Sequence, residues 1–337
     1  MSSAAHGPAP PPGPAPAQPF SVLVASDAWR AEVDAWVHDR VEEGGRRITG
    51  PLDQRRIRPW STQIVVPTDA GPLWFKANCP PMAFEPALHD LLATLTPDDV
   101  DRPFAIDADR GWMMTTDRGT TLGESHEPTL EDWQAVVTTT AHLQRVAADH
   151  RDEVLATGVP DCSPSTVPHR FDVLLERFAT LPADHPTHTD ADLVARLTAV
   201  RPRIVEAVEQ IDASAVPCSI QHGDLHPWNV FAVGGSLRVF DFGDVQWAPV
   251  MEALAVPYGV IADEGRLPWE PVRDAYVERW ADVADARTMH ALWEATAFTQ
   301  PVNRTQTWWD AIAGATDDEV AELGSYPLQH LSRVLDA

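Results

Sequence analysis

Positive charge is scarce in this chain: 25 Lys and Arg stand against 50 Asp and Glu, a formal charge of −25 over 337 residues. Lysine itself occurs once, as Lys76, and every other side chain of fixed positive charge is arginine. Nucleic acid and anionic membrane both need clustered basic residues, so neither is expected as a partner, whereas a cationic small molecule would be drawn in. Cysteine is nearly missing as well. Cys79, Cys162 and Cys218 are odd in number, far apart and outside any metal-ligand spacing, which gives no disulfide framework and fits a reducing compartment. No segment runs apolar for the ~18 residues a membrane span requires, and the N-terminus lacks the basic start and apolar stretch of a secretory signal. A cytoplasmic protein is the expectation.

What the sequence does contain is an ordinary globular mixture, 44% apolar and 22% charged. Single cores stop growing somewhere above ~250 residues, so a chain of this length predicts two lobes. Seven prolines between Pro8 and Pro19, with no charged side chain in residues 1–20, mark those residues as a flexible tail.

Apolar spacing then divides the remainder. Trp29, Val33, Trp36, Val37 and Val41 predict a helix over residues 27–42, stopped by Gly44-Gly45. The β-rich runs 62–66 and 73–77 flank the turn-forming Pro67-Thr68-Asp69-Ala70-Gly71-Pro72 and predict a hairpin in a small antiparallel sheet. A helix follows over 84–95. The strand Trp112-Met113-Met114 runs into the polar stretch Thr115 to Gly119, a candidate hinge. From Thr129 the pattern turns helical, with helices expected near 129–149, 171–180, 190–211, 272–299 and 305–334.

One β-rich island, residues 219–244, interrupts the helices. It reads His222-Gly223-Asp224-Leu225-His226-Pro227-Trp228-Asn229, two short apolar strands around Gly234-Gly235, and then Asp241-Phe242-Gly243-Asp244. The glycine pair predicts a tight hairpin. Counting outward from it, Asn229 lies opposite Phe240 if the loop has two residues and opposite Asp241 if it has three. Either register brings an amide oxygen and a carboxylate to the open end, a hard-ligand pair suited to magnesium. Asp224, five residues before Asn229, is placed to accept a proton from a hydroxyl or to orient it.

The pattern His-x-Asp-x-x-x-x-Asn followed by Asp-Phe-Gly resembles the catalytic loop and metal motif of kinase-fold enzymes. The variant His-Gly-Asp-Leu-His-Pro is similar to that of the aminoglycoside phosphotransferase and choline kinase family. The resemblance implies an α+β, bilobal protein-kinase-like fold: a small N-terminal antiparallel sheet lobe with helices (residues 21–116) and a larger, mainly helical C-terminal lobe (117–337). It implies ATP and Mg2+ as cofactors, Asp224 as catalytic base, Asn229 and Asp241 as metal ligands and His222 as a brace of the loop. It also asks for an upstream lysine on a strand, which the lone Lys76 answers, and for a helix glutamate beside it, for which Glu85 is the candidate.

No glycine-rich loop precedes the lysine. Arg58-Pro59-Trp60-Ser61-Thr62 occupies its place, and the Ser61 and Thr62 hydroxyls are candidates to cover the phosphates, with Met114 and Thr115 as nucleotide contacts at the hinge. Ala248-Pro249 follows Asp241 too closely to leave an activation segment, so a small-molecule hydroxyl is expected as acceptor. Asp244 and Glu252 are candidate substrate contacts; Glu252 is also the nearest candidate for an acidic residue that steadies the catalytic loop. Residues 251–337 hold 15 Asp and Glu against 6 Arg, which suits an amine-bearing acceptor such as an aminoglycoside or aminosugar. An aminoglycoside acceptor would make the protein an antibiotic-resistance enzyme. Choline-like or homoserine-like metabolites are rivals, and a silent nucleotide-binding module is the alternative from another class. Trp247, Trp269, Trp280, Trp293, Trp308 and Trp309 are candidates to stack on a sugar ring or face a cation, and most of them are read as core.

Overall fold

A computed structural model describes residues 18–337, except the side chains of Asp263 and Glu264. Most of the segment read as a tail therefore lies outside the described residues. Phe20, its last member, is no part of a tail: it opens helix α1 (Phe20–Val24) and is buried.

Helix α2 (Asp27–Glu43) begins where the Ser26 side chain accepts a hydrogen bond from the Trp29 backbone N–H. Its Trp29, Val33, Val37 and Val41, spaced four apart, fall on one face and are buried. That face covers a five-stranded antiparallel sheet of β1 (Asp53–Ile57), β2 (Ser61–Val66), β3 (Leu73–Asn78), β4 (Ala105–Asp107) and β5 (Trp112–Thr116), in the order β1-β2-β3-β5-β4. Trp29 and Trp36 meet Phe75 and Trp112 edge to face, with ring centroids 5.7–6.2 Å apart. The opposite face of the sheet looks onto the cleft. Helix α3 (Glu85–Leu95) follows β3, with Pro86 in its first turn, where a missing N–H costs nothing.

Beyond β5 come α4 (Leu122–Ser125), α5 (Leu130–Ala148), α6 (Arg151–Ala156), α7 (Val167–Thr180) and α8 (Ala191–Asp212). The island follows as β6 (Cys218–Gln221), β7 (Val230–Val233), β8 (Ser236–Val239) and β9 (Gln246–Pro249), and then α9 (Ala255–Glu264), α10 (Glu270–Glu278), α11 (Ala286–Ile312), α12 (Asp317–Leu323) and α13 (Tyr326–Ser332). Two antiparallel pairs, β6-β9 and β7-β8, are the only sheets in this part among the described residues. The helices pack around a core that includes Trp133, Phe171, Phe178, Tyr276 and Trp280. A second cluster, with Leu88, Ile220, Leu225, Val230, Phe242 and Trp247, underlies the catalytic loop. The chain is thus α+β, a small antiparallel sheet lobe followed by a mostly helical one.

Helix α11 departs from expectation. The sequence predicts a break between residues 299 and 305, yet α11 runs through Pro301. Side chains on either side of Pro301 tie the helix in place there. Thr299 Oγ1 donates to Glu252 at 2.6 Å, Asn303 Nδ2 to the same carboxylate at 3.0 Å, and Thr305 Oγ1 to Pro301 O at 2.6 Å. The far end of α11 crosses to the other lobe, where Ala311 and Ile312 join the core beneath the five-stranded sheet.

Among the described residues no helix is long and apolar enough to cross a membrane, and the three cysteines are free.

Candidate active site

The β7-β8 hairpin turns on Gly234-Gly235, both at positive φ (60° and 88°), and pairs Val230 with Val239. The loop therefore has two residues. Asn229 lies opposite Phe240, whose N–H donates to Asn229 O at 3.1 Å, and Asp241 follows at the open end.

Asp241 is the one non-glycine residue at positive φ among the described residues, at 66°. Such a conformation costs roughly 1–3 kcal/mol and persists only where the surroundings impose it. Here Lys76 does so: its Nζ lies 2.6 Å from Asp241 Oδ1 and contacts both oxygens of Glu85, at 2.8 and 2.6 Å. Asn78, two residues along β3, donates to Glu85 Oε2 at 2.6 Å and holds the fully buried carboxylate toward the lysine. Burial opposes the charge on Lys76, but the carboxylates of Asp241 and Glu85 outweigh it and raise its pKa above the ordinary lysine value. Burial likewise works against ionised Asp241, and the Lys76 charge overcomes it, lowering the carboxyl.

The catalytic loop is braced from beneath. His222 Nε2 lies 3.1 Å from Phe240 O, its Nδ1 accepts from the Asp224 backbone N–H at 3.3 Å, and its ring packs on Phe242. Both contacts are made by a neutral imidazole with its proton on Nε2, and burial lowers the His222 pKa accordingly. Gly223 has φ 80°, and a Cβ there would collide with the Asp244 carbonyl oxygen, so only glycine lets the loop lie this close to the metal motif. Asn229 spends its amide nitrogen on Asp224, bonding the backbone O at 2.8 Å and Oδ2 at 3.2 Å. Its amide oxygen is left for another partner. Burial works against the Asp224 charge, yet the His226 ring, 3.3 Å away, holds the carboxyl well below the usual range.

Lys76, Asp224 and Asp241 share a cleft of about 190 Å³ whose walls also include Arg56, Trp60 and Ser61. Ser61 faces it with a buried Oγ that has no hydrogen-bond partner. Thr62 does not. Neighbouring strand residues alternate between faces, and the Thr62 hydroxyl is taken up between Gln54 and Arg56 O, at 2.8 Å each. Met114 is a second correction, fully buried against Phe75 and Trp112 on the core side. Thr115, one residue on, returns to the Lys76 side and is half-buried.

Asp244 lines the cleft already paired, its Oδ2 2.6 Å from Arg304 Nη1. Glu252 is corrected outright as a substrate contact: it is fully buried and bonded to Thr299 and Asn303, and burial pushes its carboxyl up to about 7. It anchors α11 instead. Sequence reasoning also missed Arg56, Asn78, Arg304 and Thr307. Of the six tryptophans read mainly as core, Trp308 alone lines this cleft, meeting Trp60 edge to face at 5.8 Å.

The donor set suits magnesium. Asn229 and Asp241 offer two hard oxygens beside the cleft, and no cluster of three or more His, Cys, Asp or Glu able to hold a metal occurs among the described residues. Magnesium at phosphoryl-transfer sites is held by one or two protein oxygens, with phosphate and water supplying the rest. The arrangement can therefore bind a metal-polyphosphate and present a hydroxyl to it.

Comparison with known proteins gives the family and the fold. Residues 76–301 match the family described as "Phosphotransferase enzyme family". No curated protein matches the chain. Among solved structures, a macrolide 2'-phosphotransferase type I is similar at 14% identity and TM-score 0.56, covering 89% of this chain and 96% of its own. An ethanolamine kinase from Plasmodium vivax aligns at 14% identity and TM-score 0.57, covering 85% and 81%. A choline kinase from Streptococcus pneumoniae aligns at 12% identity and TM-score 0.55, covering 90% and 98%.

Proposed function

Because the chain belongs to the phosphotransferase enzyme family, a small-molecule kinase family, we propose that it transfers the γ-phosphate of ATP to a hydroxyl of a small molecule, with magnesium. The observation that carries this reading is the convergence of Lys76, Asp224 and Asp241, from distant parts of the chain, on one cleft, with Asn229 bonded to Asp224 beside it. Asn229 and Asp241 would hold the metal, which when bound neutralises charge on the phosphates. Lys76, fixed by Glu85, binds a phosphate as a compact ammonium, and the free Ser61 hydroxyl adds a donor. The depressed pKa of Asp224 makes it a weak base at neutral pH, so its main work is to accept a hydrogen bond from the acceptor hydroxyl and align that oxygen with the phosphorus.

The acceptor is proposed to be an amine-bearing molecule of the aminoglycoside or aminosugar kind, in a cytoplasmic setting; an aminoglycoside acceptor would make this a resistance enzyme. The acidic surplus of residues 251–337 supports that choice, as do the amines named for two of the structural relatives. The cleft itself supports it less, since Arg304 already neutralises Asp244. Transfer of labelled phosphate from ATP to a panel of hydroxylated amines and neutral sugars, with Asp224→Ala as control, tests the proposal. Labelled product from the wild type alone supports it; no product across the panel, with or without magnesium, counts against it.

A further inference from the structure

Three cations line the cleft, and two of them are neutralised: Lys76 by Glu85 and Asp241, and Arg304 by Asp244. Arg56 is different. Its guanidinium has no ion-pair partner among the described residues, and its Nε is buried without a hydrogen bond.

A one-residue slip in the sheet puts it there. Strands β1 and β2 are in regular register at Asp53↔Val65 and Gln54↔Ile64, and then shift so that Arg56 pairs with Gln63. Arg55 is the extra residue, turned to solvent and paired with Asp53 at 2.8 Å. In an unbroken ladder Arg55 would oppose Gln63, and Arg56 would turn to the apolar face. With the bulge, Arg56, Gln63, Lys76 and Met113 form one row across four strands on the cleft side. Two strand spacings separate the Arg56 and Lys76 backbones by roughly 10 Å. Both side chains therefore reach the space between them from opposite sides.

The turn that follows explains why a cation is needed. A glycine-rich loop cradles phosphates with backbone N–H groups. Here the β1–β2 turn contains Pro59, which has no N–H, while Arg58 N–H donates to Ser61 O at 2.9 Å. The carbonyl of Trp60 accepts from Cys79 N–H at 2.8 Å, which pins the turn to the end of β3. The backbone has few donors to spare for a ligand.

We propose that Arg56 supplies them: its guanidinium binds non-bridging phosphate oxygens of the nucleoside triphosphate, across from Lys76, in place of a glycine-rich loop. The inference rests on the phosphotransfer reading and names the residue that completes its nucleotide site. The planar fork of arginine suits paired phosphate oxygens better than an ammonium would.

Titration calorimetry on the full chain with Mg-AMP-PNP and, separately, with adenosine tests it. Arg56→Gln is expected to weaken AMP-PNP binding by about tenfold to a hundredfold, the loss of one charge-assisted hydrogen bond, while adenosine binding stays within twofold. Arg56→Lys should recover part of the loss, and Arg55→Gln should bind as the wild type does. Equal AMP-PNP affinity in wild type and Arg56→Gln overturns the inference alone. So does a parallel loss of adenosine binding, which would mean a structural role. A wild type that binds neither ligand overturns the phosphotransfer reading and this inference with it.

Discussion

The ammonium of Lys76 and the carboxylate of Asp241 lie 2.6 Å apart although 165 residues separate them in sequence. Their contact joins the sheet lobe to the hairpin of the helical lobe. Glu85 holds the lysine from the other side, so the three charges form one chain that runs from the buried Glu85 to the cleft wall.

Lys76→Met should therefore lower ATP turnover at least a hundredfold and also destabilise the protein by about 3–5 kcal/mol, since it leaves Glu85 buried and unpaired. Lys76→Arg should restore little activity because a planar guanidinium does not fit between Glu85 and Asp241. Denaturant melts of Lys76→Met and of Lys76→Met/Glu85→Leu check the electrostatic part. The double variant is expected to recover most of the stability and none of the activity.

Asp224→Ala is expected to cut the phosphate-transfer rate by about 10²–10⁴ with little change in ATP affinity. The pKa of Asp224 is depressed in the folded protein, so its carboxylate stays ionised down through mildly acidic pH. A rate profile between pH 5 and 8 should show no acid limb from this residue. An acid limb near pH 6 that vanished in Asp224→Asn would contradict the aligning role.

Gly223→Ala tests the brace of the loop. The added methyl meets the Asp244 carbonyl at a position whose φ of 80° already disfavours a side chain. Transfer should fall at least a hundredfold while ATP affinity changes little, because the displaced group is Asp224 and not Lys76.

Glu252 gives a stability prediction with a definite sign. Its carboxyl is raised to about 7, so between pH 4.5 and 7 the folded state binds more protons than the unfolded state, and stability falls as pH rises through that window. The loss amounts to about 3 kcal/mol and is complete above pH 7. Asp310, pushed up to about 6 by burial, acts in the same direction over a narrower range. Urea midpoints measured from pH 4.5 to 8 should decline in the wild type and much less in Glu252→Gln.

What could be read in advance follows from how local each signal is. Asp224, Asn229 and Asp241 sit within eighteen residues around a glycine turn, so spacing alone brought them together. Lys76 stood out because no other lysine competes with it. Thr62 and Met114 were assigned to the cleft but face the core, an error of one residue in strand phase, and that is enough to reverse a side chain. Arg56 was hidden by the bulge at Arg55, which periodicity does not signal. Arg304 lies on α11 just past Pro301, where the sequence suggested a gap between helices. Bonds made across the fold, from Thr299 and Asn303 to the buried Glu252, hold the helix there, and periodicity does not signal them.

The reach of α11 has a consequence for the molecule as a whole. With Ala311 and Ile312 in the same buried cluster as Trp29, Phe75 and Trp112, the sheet lobe completes its interior with a segment synthesised some two hundred residues later. Neither half is a self-sufficient body. The sheet emerging first from the ribosome must wait, incompletely filled, until the end of that helix arrives, and heat should dissolve both halves in one step.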